Sequence, residues 1–292
     1  MSRLKVGLAQ FRSKPLEVDG NFRTAESYIR AAAGQGCDLV VLPEYHLTSW
    51  AASDDDFGRA SRYSESFVPR YQDLARTLDI SIVPGTICYS HDEPASSSST
   101  TTTTTTTAHR FRNVAHFIAA GTGEIRGTYQ KRNLWRTERD DLVAGTEPHR
   151  SFDTGLVDDD GRPIRAGLLI CWDLAFPEAF RQLAADGADV VIIPSYWFLD
   201  DAGSQGLALN LQSERVFLES AVTLRAFENT AAVIFCNSGG FSGVGMPFLG
   251  RLGASDEDEG LQVIDLDLGV LKKAEDWYRI RTDLTSDDWR YR

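Results

Sequence analysis

Leu168-Leu169-Ile170-Cys171-Trp172-Asp173-Leu174-Ala175-Phe176-Pro177-Glu178 changes character at its fourth residue. An apolar run of the kind that forms a buried strand stops at Cys171. Pro177 and Glu178 then open a helix, because proline's fixed φ suits a first helical turn and a carboxylate suits its positive end. A strand followed by a helix is an α/β unit, and open α/β sheets meet their ligands beyond the carboxyl ends of the strands. A cysteine standing alone in such a segment reads as a small buried hydrophobe. Cys171 does not stand alone.

Leu39-Val40-Val41-Leu42-Pro43-Glu44-Tyr45 is a second apolar strand, with a carboxylate just past its end. Gly127-Thr128-Tyr129-Gln130-Lys131-Arg132-Asn133-Leu134-Trp135 ends a third strand at a lysine. Parallel strands of one sheet would bring glutamate, lysine and cysteine onto one rim.

In order and spacing these motifs resemble the nitrilase superfamily, the carbon–nitrogen hydrolases with a Glu-Lys-Cys triad, and point to an amidase-like member. Glu138 to Gly145, Glu-Arg-Asp-Asp-Leu-Val-Ala-Gly, is similar to the family segment that carries a second active-site glutamate. Gly187 to Ser195 and Arg225 to Asn229 also fit, so the likeness runs from about Lys5 to about Asp267. The resemblance implies an α/β fold, a four-layer α-β-β-α sandwich. It also implies a homodimer or higher homo-oligomer, paired through the helices after Cys171 and from Gly206.

Length and composition agree with an enzyme of this kind. The 292 residues suit one domain over 1–292, since strand and helix signals alternate without a dividing linker. The net charge of −12 and the lack of a basic patch exclude nucleic acid as a partner. Met1 to Lys14 lacks a signal-peptide core, no window is apolar enough to cross a membrane, and no Asn-x-Ser/Thr sequon occurs, so the expected address is cytoplasmic. The four cysteines, Cys37, Cys88, Cys171 and Cys236, are too sparse for a disulfide scaffold and form no zinc motif; no metal is expected. Glycines 121, 123 and 127 miss the dinucleotide spacing, and there is no Walker sequence, so no cofactor is expected either.

Along the chain, Lys5 to Phe11 reads as a strand and Asn21 as the cap of a helix to Gly34, with Phe22, Ala25, Ile29 and Ala32 on one face. Thr48 to Ser66 reads as a polar surface loop whose Asp54-Asp55-Asp56 run is solvated. Tyr71, Leu74, Ala75 and Leu78 mark a helix, and Ile80 to Ile87 one strand. Ser96 to Thr107, four serines then eight threonines, has nothing to bury, which predicts a disordered loop insertion over 91–109. Arg110 to Ile118 and Glu124 to Gln130 pair as a hairpin. One long helix is expected from Gly206 to Phe227, and strands at Asp189 to Pro194, Ala231 to Cys236 and Leu261 to Asp267. The tail, 268–292, holds Trp277, Tyr278, Trp289 and Tyr291, too many aromatics for a free end, so it should pack on its own body or on a partner subunit.

The chemistry needs a nucleophile, a proton shuttle and positive charge where negative charge develops. Cys171 supplies the first, Glu44 the second, and Lys131 with the backbone N–H of Trp172 the third. Glu138, by the family likeness, would keep Lys131 charged; its plain alternative is a surface glutamate beside Arg136 and Arg139. Of His46, His91, His109, His116 and His149, none stands in a Cys-His protease setting, though His46 follows Glu44 closely.

Two positions depart from common family patterns. Asn133 stands where many relatives carry histidine, and Ala175 where many carry arginine. Leu174 and Ala175 cannot clamp a substrate carboxylate, so the expected substrate is a small amide with a neutral or apolar acyl group, in a pocket lined by Trp135, Trp172, Tyr196 and Trp197. A nitrilase acting on a nitrile, acyl transfer to an acceptor other than water, and a non-catalytic binding or regulatory member of the fold are the alternatives.

Overall fold

A computed structural model describes residues 3–91, 110–158 and 160–289; the loop expected over 91–109 lies almost wholly outside them. In chain order the elements are β1 (Arg3–Gln10), α1 (Val18–Gly34), β2 (Leu39–Val41), α2 (Phe57–Glu65), α3 (Val68–Leu78), β3 (Ser81–Val83), β4 (Thr86–His91), β5 (Arg110–Ile118) and β6 (Ile125–Gln130). The second half has β7 (Phe152–Val157), β8 (Pro163–Leu168), α4 (Pro177–Ala185), β9 (Val190–Ser195), α5 (Gly203–Leu209), α6 (Ser213–Asn229) and β10 (Ala232–Asn237). It ends with β11 (Gly243–Met246), β12 (Gly250–Leu252), β13 (Gly260–Asp267), α7 (Gly269–Tyr278) and α8 (Ile280–Leu284).

Two sheets stack face to face. One has the order β13-β1-β2-β3-β5-β4, with β6 added beside β5; the other runs β12-β11-β10-β9-β8-β7. The central strands β1, β2 and β3 are parallel to one another, as are β8, β9 and β10. Strands buried on both faces are apolar throughout rather than alternating, and β2 shows why. Leu39 and Val41 join the core between the sheets, while Val40 and Leu42 pack outward against Phe22, Ala25 and Ile29 of α1. On the other side Phe180 and Leu183 of α4 and Leu218 and Val222 of α6 cover the second sheet. Helix, sheet, sheet and helix make the four-layer α-β-β-α sandwich.

Several local expectations are corrected. Asn21 does not cap α1 but sits inside its first turn, buried, its amide accepting from Lys14 N–H (2.9 Å) and donating to Lys14 O (2.7 Å) and Leu47 O (2.8 Å). The segment read as a surface loop contains α2, whose buried positions Phe57, Ala60, Ser61 and Ser64 keep helical spacing although half of them are serines. The strand read from Ile80 to Ile87 is divided at Pro84-Gly85, where Gly85 has φ +59° and a Cβ would meet Pro43 O at 1.9 Å. The long helix breaks into α5 and α6 because Asn210 is extended and its side chain accepts from Gln212 N–H (2.9 Å), a local turn that competes with helix.

The tail helices lie on the chain's own body. Leu271 and Ala274 of α7 are buried, and Arg281 of α8 donates to Ala188 O (2.6 Å) and Thr230 O (2.9 Å). Trp277 stays largely exposed. No described helix is long and apolar enough to cross a membrane.

Asn21→Ala would take the side-chain partner from the half-buried Lys14 N–H and from the buried Leu47 O at the entry to α1, while Lys14 O keeps the Glu17 N–H. Urea unfolding should show a loss of about 2–3 kcal/mol, against almost none for the exposed Thr24→Ala; equal stability of the two variants would contradict the assignment.

Candidate active site

The three strand ends meet, but across two sheets rather than along one. Glu44 lies three residues beyond β2 and Lys131 directly beyond β6, both in the first sheet. Cys171 lies three residues beyond β8 in the second sheet and opens a short 3-10 turn, Cys171–Ala175. The two halves are tied at Glu44, whose backbone N–H donates to Ser195 O (3.3 Å) and whose Oε2 accepts from Tyr196 N–H (3.0 Å).

Lys131 is the hub. Its side chain is fully buried, and Nζ donates to Glu44 Oε1 (2.9 Å) and to Glu138 Oε1 (2.7 Å). Glu44 Oε1 also accepts from Asn113 Nδ2 (2.8 Å) on β5. Glu138 is buried at the end of the turn Arg136–Glu138, where Oε1 accepts from the Tyr45 hydroxyl (2.5 Å) and Oε2 from Trp135 N–H (2.7 Å). Glu138 is thus a member of the cluster and not a surface group beside Arg136 and Arg139.

Burial and charge set the proton states. Burial drives the Glu44 pKa up to about 7, with the Lys131 charge pulling the other way and Glu138 adding to the rise. For Lys131, burial alone would favour the neutral amine, but the Glu44 and Glu138 carboxylates outweigh it and hold its pKa well above the usual lysine value. Burial and then the Glu44 charge push the Cys171 thiol well above the ordinary thiol range, against the attraction of Lys131. The resting cluster is therefore a neutral thiol and an ammonium beside a carboxyl that titrates near neutrality.

A cavity of about 160 Å³ opens onto this cluster. Glu44, Lys131, Glu138, Cys171, Trp135, Trp172, Tyr196 and Trp197, the residues expected in the site or its pocket, line it. Three tryptophans form one wall, with ring centroids 4.4 Å apart for Trp135 and Trp172 and 5.2 Å for Trp172 and Trp197. Trp197 Nε1 is fixed by Glu214 Oε2 of α6 (2.6 Å). Sequence reasoning missed Tyr45, Trp50, Arg136, Asp200 and Asp201 in the lining, and Asn113 and Asp173 behind it. The signal for Asp173 was present, a single acid inside an otherwise apolar turn. His46 is not in the lining: it is buried against the Tyr71 hydroxyl (2.6 Å), and burial lowers its pKa to about 3. Among the described residues no group of three or more His, Cys, Asp or Glu is arranged to hold a metal.

A sequence model of the family described as carbon-nitrogen hydrolase matches residues 5–275. The chain belongs to that family. It is 26% identical to a nitrilase of Pyrococcus abyssi over 92% of both chains. It is also 26% identical to an (R)-stereoselective amidase of a Pseudomonas species, over 93% of this chain and 88% of that one. Among solved structures, an amidase from a Nesterenkonia species superposes with a TM-score of 0.71 at 23% identity, covering 93% of each chain. The carbon–nitrogen hydrolase is thus of the nitrilase superfamily, with amidases and nitrilases among its relatives.

The Lys131 bridge has a measurable signature. Lys131→Ala would remove the attraction that restrains the Glu44 pKa, which then rises further. A carboxyl whose folded-state pKa lies above its unfolded value stabilises the fold while protonated, and that contribution is lost as pH rises. Urea unfolding of Lys131→Ala should show a loss of about 3–5 kcal/mol near pH 8 and a smaller loss near pH 6; equal losses would contradict the arrangement.

Proposed function

We propose that the protein hydrolyses a small, neutral amide to a carboxylic acid and ammonia through a thioester on Cys171. The observation that carries this reading is the Cys171 thiol standing beside the buried Glu44–Lys131–Glu138 cluster on the wall of a small, aromatic-lined cavity. As the sulfur attacks the amide carbon, Glu44 takes the thiol proton. The carbonyl oxygen becomes an oxyanion facing the Lys131 ammonium and the Trp172 N–H, which lies at the start of a 3-10 turn, where N–H groups lack intrahelical acceptors. Collapse of the adduct breaks the C–N bond while Glu44 returns the proton to departing ammonia. Water, deprotonated by Glu44, then attacks the thioester, the acid leaves, and the thiol regains its proton. Glu138 keeps the lysine charged without touching the reacting carbon.

Size and charge support the substrate class. A cavity of about 160 Å³ is small beside pockets for drug-sized ligands. Leu174 is fully buried and offers no charge. Arg136 does reach the cavity, yet Asp200 and Asp201 line the same mouth and oppose it, so no unbalanced cation awaits a carboxylate. A nitrile would use the same residues through a thioimidate, the second reading that the nitrilase relative keeps open.

Released ammonia from a panel of neutral amides, carboxylated amides, N-carbamoyl amino acids and nitriles, beside a Cys171→Ala control, tests this. Neutral amides should lead and the control should be silent. A strong preference for carboxylated amides would contradict the substrate class, and turnover of a nitrile without the matching amide would favour the second reading. Because protonated Glu44 cannot accept the thiol proton, kcat/KM should fall as pH drops through about 7, and Glu44→Gln should abolish that limb together with most of the activity. A flat profile across neutrality would contradict Glu44 as the base.

A further inference from the structure

Cys171 has φ +46°, a left-handed conformation that a non-glycine residue holds only where its surroundings over-determine it. What over-determines it is Asp173. The backbone N–H of Asp173 donates to Ile170 O (3.0 Å), and its side-chain Oδ2 accepts from Ile170 N–H (2.9 Å), so one residue brackets Cys171 and Trp172 from both ends. The same carboxylate reaches out of its own turn. Oδ2 accepts from the Tyr129 hydroxyl (2.8 Å), and Oδ1 accepts from both the backbone N–H (3.1 Å) and the side-chain Nδ2 (2.7 Å) of Asn133.

Tyr129 and Asn133 lie two residues before and two after Lys131. Asp173 is therefore the fixed point between the Cys171 turn on the second sheet and the Lys131 segment on the first. We propose that Asp173, through Tyr129 and Asn133, is a positioning residue that holds the Cys171 sulfur in register with the Lys131 ammonium. Asn133 gains a role in that clamp by donating twice, from its backbone N–H and its side-chain amide, to a single carboxylate oxygen. An ionised carboxylate is acceptor-only and matches four surrounding donors, whereas an amide in its place would set its NH₂ against two of them. The proposal rests on the thiol hydrolase reading for its effect on turnover, but the geometry of the clamp can be read without turnover.

The parent protein and the variants Asp173→Asn, Asn133→Leu, Tyr129→Phe and Asp173→Asn/Asn133→Leu are compared in two ways. One is kcat and KM on the best amide. The other is the pH dependence of iodoacetamide alkylation at Cys171, located by peptide mass spectrometry. Small misplacements of reacting groups cost up to about 100-fold, so Asp173→Asn should lower kcat by at least about tenfold with KM nearly unchanged, and should displace the alkylation curve. The double variant should be no worse than Asp173→Asn, because both act through one carboxylate.

A folded Asp173→Asn with the parental kcat and alkylation curve would overturn the proposal. If Asp173→Asn does not fold, Asn133→Leu and Tyr129→Phe decide: each removes a side-chain donor from a partly exposed residue, and parental values in both would overturn it. If the parent hydrolyses no amide, the functional reading fails while the alkylation curves still settle the clamp.

Discussion

An ammonium with no access to solvent, held between two carboxylates, is the interaction on which the rest of this molecule depends. Taking ions out of water costs several kcal/mol each, and the cost is offset only where geometry is good and remaining hydrogen-bond capacity is filled. Around Lys131 that condition recruits much of the chain. Asn113 fills one position on Glu44, the Tyr196 N–H another, and Tyr45 and the Trp135 N–H complete Glu138. Burial of the cluster brings the Glu44 pKa up to about 7.

The site straddles the gap between two sheets, which makes register the main structural problem. A strand end is located well within its own sheet, but nothing in sheet pairing fixes one sheet against another. Cys236, Ser238 and Ser242 bond across to Ala9, Val41, Phe11 and Gln10, and two further sets of hydrogen bonds do so at the site itself. Glu44 grips Ser195 and Tyr196 at the end of β9, and Asp173 is gripped by Tyr129 and Asn133 beside Lys131. Both cross-links involve carboxylates buried in the site, so the residues that tune its charge also set its dimensions. On the proposed mechanism this coupling explains why the nucleophile's unfavourable backbone conformation is retained: it is part of a framework closed on all sides.

Much of this was legible in the sequence, and the boundary of legibility has physical causes. Glu44 and Cys171 each follow an apolar strand and Lys131 ends a more polar one, the structure gathers all three, and the family-like segment after Lys131 carries Glu138 into the same cluster. The resemblance implied two sheets, but the pattern of residues could not say which strand belongs to which, because apolar runs buried on both faces look alike in either. α2 was hidden because Ser61 and Ser64 occupy buried positions that a hydrophobic pattern counts as polar. The break between α5 and α6 turned on one asparagine whose side chain competes for the backbone. Asn113 escaped notice for a related reason: its value lies in Glu44, far along the chain, and no local spacing announces it, whereas Asp173 did stand out as a lone acid in an apolar turn but its partners Tyr129 and Asn133 could not be read locally.

The central claim is that Cys171 carries the acyl group between the two halves of the reaction. Acid-quenching the enzyme within its first turnover of a small neutral amide, followed by mass spectrometry of the peptide that bears Cys171, tests it most directly. The account predicts a gain equal to the acyl group less one hydrogen, on Cys171 alone among the four cysteines. Product formed in that first turnover with no acylated Cys171, or with the acyl group on another residue, would contradict it.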